Sequence, residues 1–184
     1  MGSWRFGNDN YADRFFFAAR CIRGPIPAEP YTHAMTVTPA EFDRDLRLFI
    51  YRQFIERGAP PPVDDAAREF GARPGEVMAA LDRLAASHLL VLKPGTHDIW
   101  MANPFSSVPT PFRVATPRGS WWGNCIWDAL GIAAMLDTNA AIATRCPDCD
   151  EPQALLVNAG SLAAEGVVHF AVPARNWWDD IGFT

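Results

Sequence analysis

The segment Asn124-Cys125-Ile126-Trp127-Asp128 sets a thiol and a carboxylate three residues apart where an apolar stretch begins. On a helix, residues three apart share a face, so the two side chains would meet at one place. A cysteine at a helix N-terminus also faces unpaired N–H groups and the positive end of the macrodipole, which favour a thiolate. The carboxylate acts in the opposite sense and raises the thiol pKa, so the sequence leaves this balance open. A soft sulfur beside a proton carrier suits chemistry at a soft metal or an electrophilic carbon. The plainer alternative makes Cys125 a small buried hydrophobe and Asp128 a first-turn acid favoured by the helix dipole.

The elements that must position this pair come from a chain of 184 residues, nearly half of them apolar and a fifth charged. That composition fits a globular protein of one large domain or two small ones, with room for a sizeable core. A net charge of −5 argues against a surface built mainly for nucleic acid or anionic lipid. No apolar run reaches transmembrane length, and Met1 to Gly7 lacks the basic start and apolar core of a secretory signal. A cytoplasmic location is therefore expected. There Cys21, Cys125, Cys146 and Cys149 would be free thiols.

Residues 1–37 read as an irregular N-terminal arm, with only Asp13 to Ile22 suited to a short helix. The Phe15-Phe16-Phe17 run needs cover from the body of the protein or from a second copy, so a homodimer is one expected arrangement. Residues 38–102 read as a helical module. Thr38, Pro39 and Glu41 give a helix start with a capping box, Phe42, Leu46, Phe49, Ile50 and Phe54 its apolar stripe, and Gly58 its end. A second helix is expected over about Asp65 to Phe70, stopped by Gly71. A third runs from about Pro74 to Ala86, with Val77, Met78, Leu81 and Leu84 inward. Strands at Leu89 to Leu92 and Asp98 to Ala102, turning at Lys93-Pro94-Gly95, complete a winged-helix-like arrangement.

Winged helices commonly bind DNA, so a transcription regulator must be weighed. Residues 39–102 hold eight Arg/Lys against ten Asp/Glu, and the would-be recognition helix sets Glu76 and Asp82 against Arg73 and Arg83. A DNA reader needs a surplus of phosphate-neutralising cations on that face, so a structural or substrate-gating role is favoured.

Residues 103–120, with Pro104, Pro109, Pro111 and Pro117, read as a proline-rich connector of little regular structure. Residues 121–184 read as a small mixed α/β domain. It opens with a helix from about Cys125 to Leu136, followed by strands at Ala140 to Thr144, Gln153 to Val157 and Val167 to Val172. A turn or short helix at Ala174 to Asp179 precedes Ile181 to Thr184, which looks like the start of another strand. The expected fold class is α/β (α+β).

From about residue 39 onward the chain resembles the organomercurial (alkylmercury) lyase family. Trp121-Trp122-Gly123-Asn124-Cys125-Ile126-Trp127-Asp128-Ala129-Leu130 looks like the helix bearing the family's first catalytic cysteine, with the catalytic aspartate three residues on. Cys146 is similar to a further family cysteine thought to be structural. Val167-Val168-His169-Phe170 through Asn176-Trp177-Trp178-Asp179-Asp180-Ile181 resembles the stretch leading into the second catalytic cysteine. The family pattern places that cysteine in the strand just after this run, and further sheet elements beyond it, whereas the sequence given runs to Thr184. A truncated form and a member working without that thiol both remain open.

The resemblance implies protonolysis of a carbon–mercury bond. Cys125 would be nucleophile and mercury ligand, and Asp128 the proton shuttle, with no organic cofactor. The substrate would be a small organomercurial, and cellular thiols would remove Hg(II). The alternative is a non-catalytic relative that binds or senses metal through its thiols.

Cys146-Pro147-Asp148-Cys149 is a single Cys-x-x-Cys, short of the four ligands a structural zinc site generally needs, and His33, His88, His97 and His169 are scattered. A tight turn with reduced thiols is favoured over a half-site, a dimer-shared site or a mercury-capturing dithiol. Trp121, Trp122, Trp127, Trp177 and Trp178 are core candidates that could also line a dry pocket. His169 reads as a core histidine, and Asp179-Asp180 as turn caps.

Overall fold

The computed structural model describes residues 2–5, 38–164 and 166–183. The arm helix expected from Asp13 to Ile22, its phenylalanine run, Cys21, His33 and the side chain of His169 lie outside the described residues.

Helix α1 (Pro39–Arg57) begins as its sequence requires. Thr38 Oγ1 accepts from the Glu41 N–H at 3.3 Å, and the Thr38 N–H donates to Glu41 Oε2 at 2.9 Å. Gly58, at φ 73°, closes it through an N–H donated to the Phe54 carbonyl at 2.9 Å. Helices α2 (Val63–Phe70) and α3 (Pro74–Ala86) follow. In α3 the Arg73 N–H donates to Glu76 at 2.8 Å, a cap whose residue types give no sequence signal. Val77, Leu81 and Leu84 are buried, and Ala80 takes the buried place expected of Met78, which is only half-buried.

One antiparallel sheet holds eight strands in the order β2-β3-β4-β6-β5-β7-β8-β9. These are β2 (Val91–Leu92), β3 (Ile99–Ala102), β4 (Phe105–Ser106), β5 (Arg113–Thr116), β6 (Gly119–Gly123), β7 (Ala140–Arg145), β8 (Pro152–Asn158) and β9 (Ser161–Ala163). Helix α4 (Ile126–Leu136) lies between β6 and β7 in sequence. A separate two-stranded pair joins β1 (Gly2–Arg5) to β10 (Val167–Phe170), so the start of the arm is a strand and not irregular.

Two further expectations are corrected. Residues 103–120 are not bare connector: β4, β5 and the first residues of β6 lie there and carry the sheet straight through it. The prolines permit this because Pro109 and Pro111 fall between strands and Pro117 in the β5–β6 turn, where no ladder N–H is lost. Residues 181–183 form a turn instead of the start of a strand, because the Phe183 N–H is taken by the Asp180 carbonyl at 3.1 Å and by its carboxylate at 3.2 Å.

A single apolar cluster joins the helices to the sheet, from Leu46, Phe49, Ile50 and Phe54 through Phe105, Val114 and Trp121 to Ile132 and Ile142. Phe105 and Phe54 stack at 5.4 Å, while Trp121 is buried with its indole N–H donated to the Phe54 carbonyl at 2.6 Å. That bond satisfies the buried indole donor and fixes β6 against the C-terminal turn of α1. The alternation in β7, with Ala140 and Ile142 buried and Ala141 and Ala143 exposed, puts one face of the sheet toward this core. Among the described residues no helix is long and apolar enough to cross a membrane.

Candidate active site

Strand β6 ends at Gly123 and helix α4 starts at Ile126, so Asn124 and Cys125 occupy a two-residue corner between them. The corner is tight. A Cβ at Gly123 would lie 2.7 Å from the Ala129 nitrogen and 2.9 Å from its Cα, so only glycine lets the first turn of α4 sit on the strand end. Thr110 holds the same point from the other side, its hydroxyl donating to the Gly123 carbonyl at 2.5 Å, while the Gly123 N–H donates to Phe112 at 2.9 Å.

Cys125 is the N-cap of α4, in extended conformation at φ −143°. Its half-buried sulfur makes no side-chain cap hydrogen bond, but the backbone N–H groups of Asp128 and Trp127, the unpaired donors expected at a helix start, lie close enough to favour its thiolate. Those donors do not decide its ionisation. Burial, followed by the negative charge of Asp128, pushes the thiol pKa up to about 12, and the two N–H groups recover only part of this. The balance left open by the sequence therefore falls on the side of a thiol that keeps its proton at neutral pH.

Asp128 is itself raised above the ordinary carboxylate range by burial, and is pulled back partly by hydrogen bonds from Asn124. Asn124 Nδ2 donates to Asp128 Oδ2 at 3.0 Å, the i,i+4 reach of one helical turn. The same amide nitrogen lies 3.2 Å from Asn103 Oδ1 and 3.4 Å from the Phe105 carbonyl. Asn103 is held in turn from α1, since the Tyr51 hydroxyl donates to its carbonyl at 2.7 Å. A chain of contacts thus runs from the first helix through Tyr51, Asn103 and Asn124 to the carboxylate. Asn124 Oδ1 is buried and has no hydrogen-bond partner among the described residues.

The structure therefore brings Cys125 and Asp128 to one corner, close enough for the carboxylate charge to raise the thiol pKa. Asn124 and Asn103 were missed as supporting residues. The i,i+4 spacing of Asn124 and Asp128 was a usable signal, whereas nothing local marks Asn103, 21 residues away.

Other sequence candidates have different partners. Trp122 has the Arg113 guanidinium 5.9 Å over its ring, Trp177 donates to the Val172 carbonyl at 2.9 Å, and Trp178 stacks on His88 at 4.0 Å. Asp179 accepts from Asn176 at 2.8 Å, and both acids serve turns as expected. A cavity of about 240 Å³ is lined by Phe49, Gln53, Arg57, Asp65, Arg68 and Glu69, and neither Cys125 nor Asp128 touches it.

Cys146 and Cys149 lie in the β7–β8 turn, half-buried and exposed respectively. The N–H groups of Cys149 and Asp148 and the Cys149 thiol favour the Cys146 thiolate and lower its pKa below that of an ordinary cysteine. Among the described residues no group of three or more His, Cys, Asp or Glu side chains is placed to hold a metal.

Residues 105–184 match the family model described as alkylmercury lyase. The mercury-bound crystal structure of MerB2 superposes with a TM-score of 0.54 at 19% sequence identity, covering 84% of this chain and 66% of that one. That likeness shows a common fold, of which the present chain spans just under two thirds. No curated protein matches the chain.

Proposed function

Because residues 105–184 carry the sequence pattern of the alkylmercury lyase family, we propose that this chain cleaves carbon–mercury bonds by protonolysis at Cys125 and Asp128. The single observation that carries the proposal is the shared centre at the β6–α4 corner, where a protonated thiol and a buried carboxylate act on each other.

The chemistry balances without redox change. The Cys125 sulfur bonds to the mercury of an organomercurial R–Hg–X, and its proton passes to Asp128. The carbon–mercury bond then breaks, its electron pair staying with carbon, and Asp128 returns the proton to give R–H. Mercury stays on the protein as Cys125–S–Hg–X until cellular thiols exchange it away, which accords with a cytoplasmic setting. A thiol held protonated makes a nearby proton acceptor necessary. A carboxyl group with a raised pKa takes up the thiol proton more readily and holds it until the leaving carbanion needs it. Asn124 is a positioning residue that aims Asp128. Mercury is substrate and product here, and the reaction calls on no organic cofactor. The helical module and its hairpin, read as winged-helix-like, would brace the site through Tyr51 and Asn103. Its Arg68, Arg73 and Arg83 are engaged in ion pairs with Asp65, Glu76 and Asp43, which weighs against a DNA-reading role.

Incubation with phenylmercuric acetate, with benzene followed by gas chromatography, tests the proposal. Benzene release is expected to vanish in Cys125→Ser and to fall roughly 10²–10⁴-fold in Asp128→Asn, the usual reach of general acid–base catalysis. Release from Cys125→Ser equal to that of the wild type would overturn it. Stoichiometric mercury retention without benzene would instead favour the metal-binding relative, a reading supported by the high pKa of a thiol that gives up its proton reluctantly.

A further inference from the structure

We propose that the Cys146-Pro147-Asp148-Cys149 turn is a second soft-metal site, holding one two-coordinate thiophilic cation such as Hg(II) or Cu(I) between its two sulfurs. The turn is fixed on both sides before any ligand arrives. The Cys146 N–H donates to the Glu151 carbonyl at 2.9 Å, and the Asp150 N–H donates to the Cys146 carbonyl at 2.9 Å. Arg145 clamps Asp150 with two bonds of 2.5 and 2.8 Å, and Asp150 adopts the left-handed conformation at φ 57° that lets the chain re-enter β8. Within this frame the two cysteines stand three residues apart in one tight turn, one half-buried and one exposed, and the Asp148 and Cys149 N–H groups and the Cys149 thiol act on the Cys146 sulfur to favour its thiolate. The turn therefore holds both thiols at one place, with backbone dipoles favouring negative charge on one of them.

The donor count selects the cation. Structural zinc takes four ligands, and the described residues supply no third His, Cys, Asp or Glu to this pair. Soft cations that are satisfied by two thiolates need nothing more. Binding exchanges two S–H protons for two sulfur–metal bonds. Both protons go to solvent and no electron moves.

Its place in the sheet adds a reason to look. Trp122 of β6 and Ala143 of β7 both pair with Arg113, from opposite sides, so two strand spacings put them roughly 10 Å apart. Strands β6 and β7 run the same way, because each is antiparallel to β5. Cys125 and Cys146 each follow three residues later, so the thiol pair opens at the same end of the sheet as the β6–α4 corner. The site is proposed independently of whether Cys125 cleaves a carbon–mercury bond.

The full-length Cys21→Ser/Cys125→Ser chain, which lacks the proposed catalytic sulfur, is the material for the test. Titrated with Hg(II) in the reduced state, it is expected to bind one metal per chain by native mass spectrometry and to release two protons. Adding Cys149→Ser should weaken binding about 100-fold or more, the loss when a tethered second donor is removed. A competition titration of Cu(I) should show the same dependence. If the extra serine unfolds the chain, iodoacetamide footprinting of the parent variant decides. One equivalent of Hg(II) should protect Cys146 and Cys149 together. Unchanged affinity in Cys149→Ser, protection of only one of the two cysteines, or one metal shared by two chains would each sink the proposal.

Discussion

Cys125 and Cys146 share a local setting and reach opposite chemistry. Each sulfur has two backbone N–H groups nearby that favour its thiolate, at the point where one element turns into the next. At Cys125 burial and the Asp128 charge outweigh those donors and push the pKa up to about 12, whereas at Cys146 the pKa falls. Local motif therefore does not set thiol reactivity here. What lies around the motif does: an apolar corner and a carboxylate in one case, and an open turn with a neighbouring thiol in the other.

The largest test of this contrast is alkylation. At pH 8 a thiol with pKa near 12 is ionised about one part in ten thousand, and an ordinary cysteine about one part in four. Iodoacetamide should therefore modify Cys125 at least roughly 10³-fold more slowly than Cys146, read peptide by peptide in a mass spectrometer. Comparable rates would remove the distinction between the two sites.

Asp128→Asn narrows the gap from the other side. Losing the carboxylate charge should lower the Cys125 pKa and speed its alkylation at fixed pH, by about tenfold for each unit of fall. Burial, the larger cause, stays in place, so Cys125 should remain slower than Cys146. If the variant left Cys125 unmoved in an ultraviolet thiolate titration, burial alone would account for its pKa.

The corner itself can be broken. Gly123→Ala drives a methyl group into the Ala129 backbone, and overpacking of this kind costs about 1–3 kcal/mol. For a chain of this size that corresponds to a fall in Tm of roughly 3–10 °C. If the first turn of α4 loosens as a result, Cys125 should alkylate faster while Cys146, two strands away, keeps its rate. Equal acceleration at both sites would point to global unfolding and would deny that this glycine serves the corner.

The sequence disclosed one side of this contrast better than the other. The thiol and carboxylate were legible because three-residue spacing on an apolar helix admits one arrangement, and the first helix because Thr38, Pro39 and Glu41 form a local code. Strands β4 to β6 were not legible. β4, at two residues, is too short for any alternation to register, and the prolines around the three strands imitate a connector until the antiparallel partners are in place. The contact from Tyr51 through Asn103 to Asn124 spans residues distant in sequence, so only tertiary structure can assemble it. The Cys125 pKa was undecidable for a related reason: dipole and carboxylate can be read from neighbours, but burial belongs to the whole fold.

The smallest effect expected is on stability against pH. Asp128 has a folded-state pKa raised above its unfolded value, so its ionisation costs stability. Below the unfolded value of about 3.8 both states are protonated and the cost is absent. It appears as pH rises through the folded-state pKa and is constant above it. Asp128→Asn removes the ionisable group but keeps an acceptor for Asn124, so its Tm relative to wild type should be higher at pH 7 than at pH 3.5. Thermal melts of both proteins at the two values measure the difference directly. A gap that shrinks toward neutral pH would mean that Asp128 is stabilised as a carboxylate. The proton it is proposed to return to carbon would then have no reason to reside there.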